Sequence, residues 1–444
     1  AAMPLTERAH VIGAAPVASS RPSRSGLHRF VAPVAPRRAR RVRRGGAEGG
    51  IHSGMARIDL PLVTVSTKGA ARLAGGHPWV FRSDIAQAPN TPAGLVRLQD
   101  ARRRPLGTAL WSPASEIRVR RLEADPDRTI DAHWWHETIT RAAARRRSLA
   151  ASTDAWRIVH GEGDGVPSLV VDRYADVLVV QLLSAGLETQ RAHIVEALRA
   201  VEHPAGILAR NDAAVRSREG LARGTETLDG DVPPNVEFRE HGVRMLAAPH
   251  TGQKTGAFLD QRDNRALVGA LARGRALDVF SYHGSFAQHL ARGADHVTAV
   301  DVSADALARA LENAALNGHA NVTTVVADAF DWLRDARTRG DRYDTIVIDP
   351  PAFAKSRTAL PQAMRGYADV FRLGLLLLAE GGTLFAASCS HHLGIPDFLA
   401  VLEHAAADSG RRVTLRQLTT QPLDHPIVLT IPESAKKTPA PVAL

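Results

Sequence analysis

The sequence holds a single cysteine, Cys389, among 444 residues, so neither an intramolecular disulfide nor a cysteine-based zinc site can form, and no metal is expected. A chain so poor in thiols suits a reducing compartment, and the cytoplasm is the expected one. No run of about 18 apolar residues exists, which excludes a transmembrane helix and argues against a membrane partner. Aromatic residues are sparse at 5%, yet 44% of the chain is hydrophobic and 23% charged, the balance of an ordinary folded protein. The length allows two or three domains, and no internal repeat at a solenoid period is visible.

Acids are scarce at the N-terminus. Residues 1–54 carry ten arginines against two acids, a balance of +8 out of the formal +10 of the whole chain. The basic character is thus mostly a property of this tail, and contact of a folded face with phosphate has to be argued locally. The tail is rich in Ala, Pro, Ser, Gly and Arg without a sustained period, and reads as a disordered basic extension. Its composition suits an RNA-gripping arm, an organelle transit peptide or an upstream extension with no structural role.

From Ile58 the pattern changes to short alternating segments, LPLVTVS (Leu60–Ser66), GLVRLQD (Gly94–Asp100) and EIRVRRLE (Glu116–Glu123), with Gly and Pro between them. They predict a β-rich domain over 55–125. Period-2 geometry sets Arg118 and Arg120 on one strand face, which is either a solvated outer face or one that contacts phosphate. Residues 126–250 mix helical sequence (127–150, Thr189–Ala200) with strand-like runs at Leu169–Asp172 and Val177–Leu183, a small α+β domain.

Over 251–444 strands and helices alternate. Strands are predicted at Arg275–Phe280, His296–Asp301, Asn321–Ala327, Tyr343–Asp349 and Gly382–Ser388, with helices at Phe286–Arg292, Ala304–Asn317, Ala329–Arg337 and Gln362–Leu378. The fold class is α/β, a Rossmann-like parallel sheet whose ligand crevice opens at the strand carboxyl ends. Gly284 lies in the first strand–helix turn, where backbone would approach a ligand, and Asp301 ends the second strand, where a carboxylate accepts from ribose hydroxyls. One glycine in place of GxGxxG favours a ligand with a ribose and no diphosphate, S-adenosylmethionine rather than NAD. Asp328 ends the third strand, within reach of an adenine amino group. Asp349, Pro350 and Pro351 end the fourth, where two prolines fix an extended backbone that aims carbonyls and a carboxylate at a substrate base.

The strings HPWVFRSDI (His77–Ile85), GEGDGVPSLVVDRYADVLVVQ (Gly161–Gln181), TGQKTGAFLDQRDNR (Thr251–Arg265), LDVFSYHGSF (Leu277–Phe286), DPPAFAKS (Asp349–Ser356), SCS (Ser388–Ser390) and DHP (Asp424–Pro426) together resemble those of the bacterial large-subunit rRNA cytosine-5 methyltransferases with an N-terminal PUA domain. The resemblance runs from Met55 to about Pro432. It implies a PUA-like RNA-binding module, a middle domain and a seven-stranded class I methyltransferase sheet, with S-adenosylmethionine as cofactor and rRNA as partner. It also implies that Lys254, Phe258, Asp260, Gln261 and Arg262 line the cofactor pocket with Phe280, Tyr282, Gly284 and Phe286. Pro350, Pro351, Phe353 and Lys355 fall on the substrate side. Two departures stand out: His283 occupies a position where relatives have a small hydroxyl residue, and the C-terminal ESAKKTPAPVAL replaces a final Tyr-Leu-Lys strand, which puts the closing edge of the sheet in question.

Cytosine C5 is a poor nucleophile, and the covalent solution is addition of a thiolate to C6. Cys389 follows the fifth strand and opens on the crevice of Asp349. The resemblance makes it the nucleophile, with Asp349 binding the cytosine N3/N4 edge. Two other readings stay open: a guanine-N methyltransferase on the same fold, which needs no cysteine, and a non-catalytic PUA-type RNA-binding or assembly protein. The oligomeric state, homodimer included, is open as well.

Overall fold

The computed structural model describes residues 59–354, 356–390, 392–434 and, as backbone, 440–443. The readings made for residues 1–54 and for Lys355 lie outside them. No helix among the described residues is long and apolar enough to cross a membrane.

The first layer is a six-stranded sheet of β1 (Leu62–Val65), β2 (Trp79–Val80), β3 (Ile85–Gln87), β4 (Gly94–Gln99), β5 (Pro105–Trp111) and β6 (Val119–Glu123), in the order β2-β6-β5-β4-β1-β3, with α1 (Thr67–Ala74) beside it. Alternation puts Val63, Val65, Val96, Leu98 and Trp111 in one core. The predicted basic face does not form. Arg118 precedes β6 and lies over the Trp111 ring, while Arg120 is buried, donating to Ser112 and pairing with Glu219 at 2.8 Å. An arginine turned inward needs an acid to offset its lost hydration, and Glu219 supplies it.

The next sheet runs β11-β10-β9-β8-β7, built from β7 (Ala155–His160), β8 (Leu169–Tyr174), β9 (Val177–Leu182), β10 (Gly206–Asn211) and β11 (Gly224–Gly230). Helices α2 (Ala132–Ala144) and α4 (Arg191–Glu202) cover it, and short α3 (Ala185–Glu188) and α5 (Val215–Arg218) punctuate its connections. Trp135, Ile139, Ile194 and Leu198 pack there on Leu178 and Val180. A hairpin, β12 (Val236–Glu240) and β13 (Val243–Ala247), leads to the last sheet.

That sheet has seven strands, β14 (Arg275–Val279), β15 (His296–Asp301), β16 (Val322–Val326), β17 (Tyr343–Ile348), β18 (Leu378–Ala386), β19 (Gln417–Thr419) and β20 (Ala440–Ala443), ordered β16-β15-β14-β17-β18-β20-β19. The first five are parallel, and β20 runs antiparallel between β18 and β19. The atypical C-terminus thus does close the sheet. Helices α6 (Arg262–Leu271), α7 (Ser285–Leu290), α8 (Ala304–Asn317), α9 (Ala329–Arg339), α10 (Leu360–Leu377) and α11 (Ile395–Ser409) flank it. In β17, Ile346 and Ile348 join the core with Leu333, Tyr367 and Phe371, whereas Val347 joins the opposite one with Phe286, Leu290 and Phe385. Both faces are buried, as parallel strands require. Ser303 caps α8 at one end and Gly318, at φ 68°, at the other.

Predicted strands and helices fall at the observed ones with ends shifted by a few residues, except that β18 begins four residues early. Its register against β17 slips between Tyr343/Leu378 and Thr345/Thr383, so Gly381-Gly382 forms a bulge inside the strand rather than the turn before it.

Candidate active site

The sheet order reverses between β14 and β17, and the crevice lies beyond their carboxyl ends. After β14 the chain makes a turn in which Phe280 (φ 64°), Tyr282 (φ 51°) and Gly284 (φ 69°) are left-handed. Two non-glycine residues in that region are strained and persist only where surroundings over-determine them. Asp278 holds the turn from beneath, accepting from the Ser281 hydroxyl at 2.6 Å and the Ala287 amide at 3.0 Å. Asp301 holds it from the side, its two oxygens accepting from the Tyr282 and Ser303 amides at 2.9 Å each. Burial pushes Asp278 up to about 7, with Asp349 and Asp301 adding to the rise.

Aromatic rings form one wall. Tyr282 stacks on His283 at 3.7 Å, meets Phe258 edge-on at 5.6 Å, and accepts through its hydroxyl from the Gln253 amide at 3.1 Å. Burial, helped by Arg309, drives His283 down to about 4, so it is neutral at physiological pH. Lys254, also left-handed at φ 55°, sets its ammonium 3.0 Å from Asp260 and 4.4 Å from the centre of the Phe258 ring. Desolvation against the crevice walls and then Arg157 push it down to about 8, although 41% of the side chain stays open to solvent.

Beyond β17, Gln261 donates to Asp349 at 3.0 Å, and burial lifts that carboxyl to about 6 against the pull of Lys254 and Gln261. Tyr367 on α10 bonds Ser390 at 2.7 Å, and Ser390 accepts from the Ala354 amide, so the DPPAF turn is pinned on both sides. Phe353 packs on Tyr367 at 4.6 Å. Pro350 is buried and Pro351 exposed. Cys389 reaches solvent, and its Sγ lies 3.5 Å from the Pro350 carbonyl. The crevice walls and then Asp349 push the thiol up to about 11, with Lys254 opposing.

Four of the expected residues have structural tasks of their own. Arg262 is fully buried and spends both Nη atoms on Asp424, at 3.0 Å each, which leaves none for a ligand. Phe286 is core, tilted against Phe385 at 5.1 Å. Gly284 is required by φ and by α8, since a Cβ there would sit 2.7 Å from that of Ala310. Asp328 is exposed and caps α9, accepting from the Phe330 and Asp331 amides. The sequence alone does not single out Asp278, Tyr367 or Ser390. An acid inside the apolar run ALDVF was the available signal for the first; the contact of α10 with the DPPAF turn is tertiary and leaves none.

Residues 156–429 match the family described as S-adenosylmethionine-dependent methyltransferase, and residues 63–124 match a PUA-like domain. Ribosomal RNA large subunit methyltransferase I of Aeromonas salmonicida is 39% identical over 366 residues, covering 80% of this chain and 92% of that protein. Its Shigella flexneri counterpart is 37% identical with the same coverage. An S-adenosylmethionine-dependent methyltransferase from Streptococcus mutans superposes with a TM-score of 0.72 at 24% identity, over 87% of this chain and 100% of that one. A methyltransferase crystallised with SAH gives 0.73 at 23%, over the same shares. These two likenesses concern the fold. The chain belongs to the S-adenosylmethionine-dependent methyltransferase family, an enzyme with a PUA-like domain ahead of its catalytic sheet.

Proposed function

We propose that this enzyme methylates C5 of a cytosine in large-subunit ribosomal RNA, with Cys389 as the covalent nucleophile and Asp349 as its acid partner. The relatives named above carry that RNA in their names, and the PUA-like domain gives the RNA a second holding point. The corresponding division is 55–125 for RNA binding, 126–250 as the joining domain and 251–444 for catalysis. The expected compartment is the cytoplasm, where ribosomal RNA is.

The donor set of the crevice fits the cofactor. Each Asp301 oxygen accepts one amide and keeps a second lone pair, as a vicinal ribose diol requires. Val302 beside it is 75% exposed, an apolar surface suited to the flank of a base. Lys254 offers a cation for a carboxylate, and Asp278 and Asp349 offer acids near a sulfonium. Phe258, Asp260, Gln261, Phe280, Tyr282 and Gly284 complete the proposed cofactor wall, with Asp328 at its rim. When bound, S-adenosylmethionine supplies an electrophilic methyl group.

The single observation that carries the cytosine reading is the position of the only thiol, 3.5 Å from the carbonyl of the proline that follows Asp349. Cys389 gives its proton to solvent and adds through Sγ to C6, and the C5–C6 pair shifts to C5 as N3 takes a proton from Asp349. An acid lifted to about 6 still carries a proton in part of the population near neutrality, and once that proton is delivered the anion is shared with the base. After C5 gains the methyl group and gives its proton to water, the C6–Sγ bond breaks, N3 returns its proton to Asp349 and the thiolate is restored. Pro350, Pro351 and Phe353, with Lys355, would hold the base and its strand.

The thiol's rise to about 11 favours one rival, methylation of a guanine nitrogen, where Cys389 would only pack. Labelling unmodified rRNA from methyl-labelled S-adenosylmethionine and digesting it to nucleosides decides between them. The expected product is 5-methylcytosine, lost in Cys389→Ala; a methylguanosine that survives Cys389→Ala would replace this reading.

A further inference from the structure

The loop Gly252–Ala257, which joins β13 to the start of α6, carries Lys254 into the crevice and is held by a relay that none of the roles above uses. Thr255 is 1% exposed, and its hydroxyl donates to Asp172 Oδ2 at 2.6 Å. Asp172 on β8 is itself buried and takes both Nε and Nη2 of Arg157, across the β7–β8 pair, at 2.7 and 2.8 Å. An ionised carboxylate is an acceptor only, so the direction of the next bond follows. The Thr255 proton is spent on Asp172, and the 2.9 Å contact between Tyr174 and Thr255 is therefore donated by the tyrosine. Tyr174 accepts in turn from the Ala257 amide at 3.1 Å. Burial raises the Tyr174 phenol further, so it keeps its proton across the physiological range.

The relay ends at Thr255 and Ala257, one and three residues after Lys254. A left-handed lysine is strained and is kept only if its neighbours are fixed. With Thr255 and Ala257 clamped to β8, the Lys254 side chain runs over Phe258 to Asp260. The charged and titratable groups that face its ammonium are Arg157 from β7, Asp172 from β8, Asp260 from its own loop, Asp349 after β17 and Cys389 after β18.

We propose that Thr255 is a positioning residue for methyl transfer: its hydroxyl, oriented by Asp172 and Tyr174, fixes Lys254 so that the ammonium stands on Asp260 at the crevice shared by Asp349 and Cys389. The middle sheet thereby sets the electrostatics of a thiol that lies on another sheet. Lys254 is the cation that opposes the rise of Cys389, and displacing it leaves the thiol to burial and Asp349. The consequence for turnover rests on Cys389 being the nucleophile; the consequence for the thiol itself does not.

Because Cys389 is the only cysteine, its alkylation by iodoacetamide can be followed against pH in the full chain without RNA or cofactor. Thr255→Val keeps the shape and removes the hydroxyl; Thr255→Ser restores it. The expected result is alkylation about three- to tenfold slower at pH 8 in Thr255→Val, with the midpoint moved to higher pH, and recovery in Thr255→Ser. In turnover, kcat falls while KM for RNA holds. Should Thr255→Val not fold, Tyr174→Phe breaks the same relay one bond later and is expected to slow alkylation in the same sense. Alkylation unchanged from wild type in a folded variant overturns the proposal. Methyl transfer that survives Cys389→Ala removes the nucleophile reading alone, and the alkylation result still judges Thr255.

Discussion

Gln261 reaches across 88 positions of sequence to donate a 3.0 Å hydrogen bond to the Asp349 carboxylate. Its own carbonyl accepts from Asn264 at 2.6 Å, and Asn264 accepts from the Thr419 hydroxyl, so the side chain has one orientation. The bond stabilises the Asp349 anion against burial. Gln261→Leu is expected to lift Asp349 above its value of about 6, moving the limb of the kcat/KM profile that Asp349 governs to higher pH. An unmoved limb would mean that the bond does not tune Asp349.

Asp278 is a buried acid at about 7, and folding favours its proton. The stability tied to it is fully present below the usual carboxylate value of 3.8 and is lost as pH rises through about 7. Asp278→Asn keeps an acceptor for Ser281 and Ala287 and removes the titration. It should be more stable than wild type at pH 8, by at most about 4 kcal/mol, and the gap should close as pH falls toward 4. Thermal melts across that range check the sign.

Asp424 has the opposite sign. Burial would raise it, but His425 and Arg262 overcome that and hold it well below the usual carboxylate range. It also accepts from the Arg157 amide at 2.9 Å, tying the C-terminal DHP string to β7. Asp424→Ala leaves both Nη atoms of the buried Arg262 without their carboxylate, with only the exposed Asp263 still on Nε, at a cost of about 3–5 kcal/mol near neutrality. The deficit should narrow as pH drops and the wild-type carboxylate itself takes a proton, which denaturant titrations at two pH values would show.

Arg120 separates a structural arginine from an RNA contact. Its pair with Glu219 is buried on both sides, so Arg120→Ala should cost about 3–5 kcal/mol of stability. The salt dependence of RNA binding should keep its slope, since no phosphate contact is removed; a slope smaller by about one would restore the phosphate reading.

How much of this was legible in the sequence depends on what each residue answers to. The parallel sheet showed itself because β17 and its neighbours are apolar on both faces and separated by amphipathic helices with glycine stops, all local signals. Asp301 and Asp349 were legible as acids at strand ends, although an acid in that position also caps a helix, as Asp328 does. Arg118 and Arg120 misled because period-2 spacing sets which residues share a face and is silent on which face is covered. Phe286 misled for the same reason, being an aromatic near the turn that the second core claims. Arg262 and Asp424 lie 162 positions apart, and nothing in either segment announces the other. The bulge at Gly381-Gly382 looked like a turn because glycine marks both.

The covalent role of Cys389 is tested most directly by trapping. An RNA fragment whose target cytosine carries fluorine at C5 can accept the thiolate at C6 and the methyl group at C5, but cannot lose a proton from C5 to release the enzyme. With S-adenosylmethionine present, the account predicts a protein–RNA adduct that survives denaturing electrophoresis, maps by mass to Cys389 and is absent in Cys389→Ala. Failure to form any adduct, with ordinary RNA methylated at full rate in the same preparation, would contradict it.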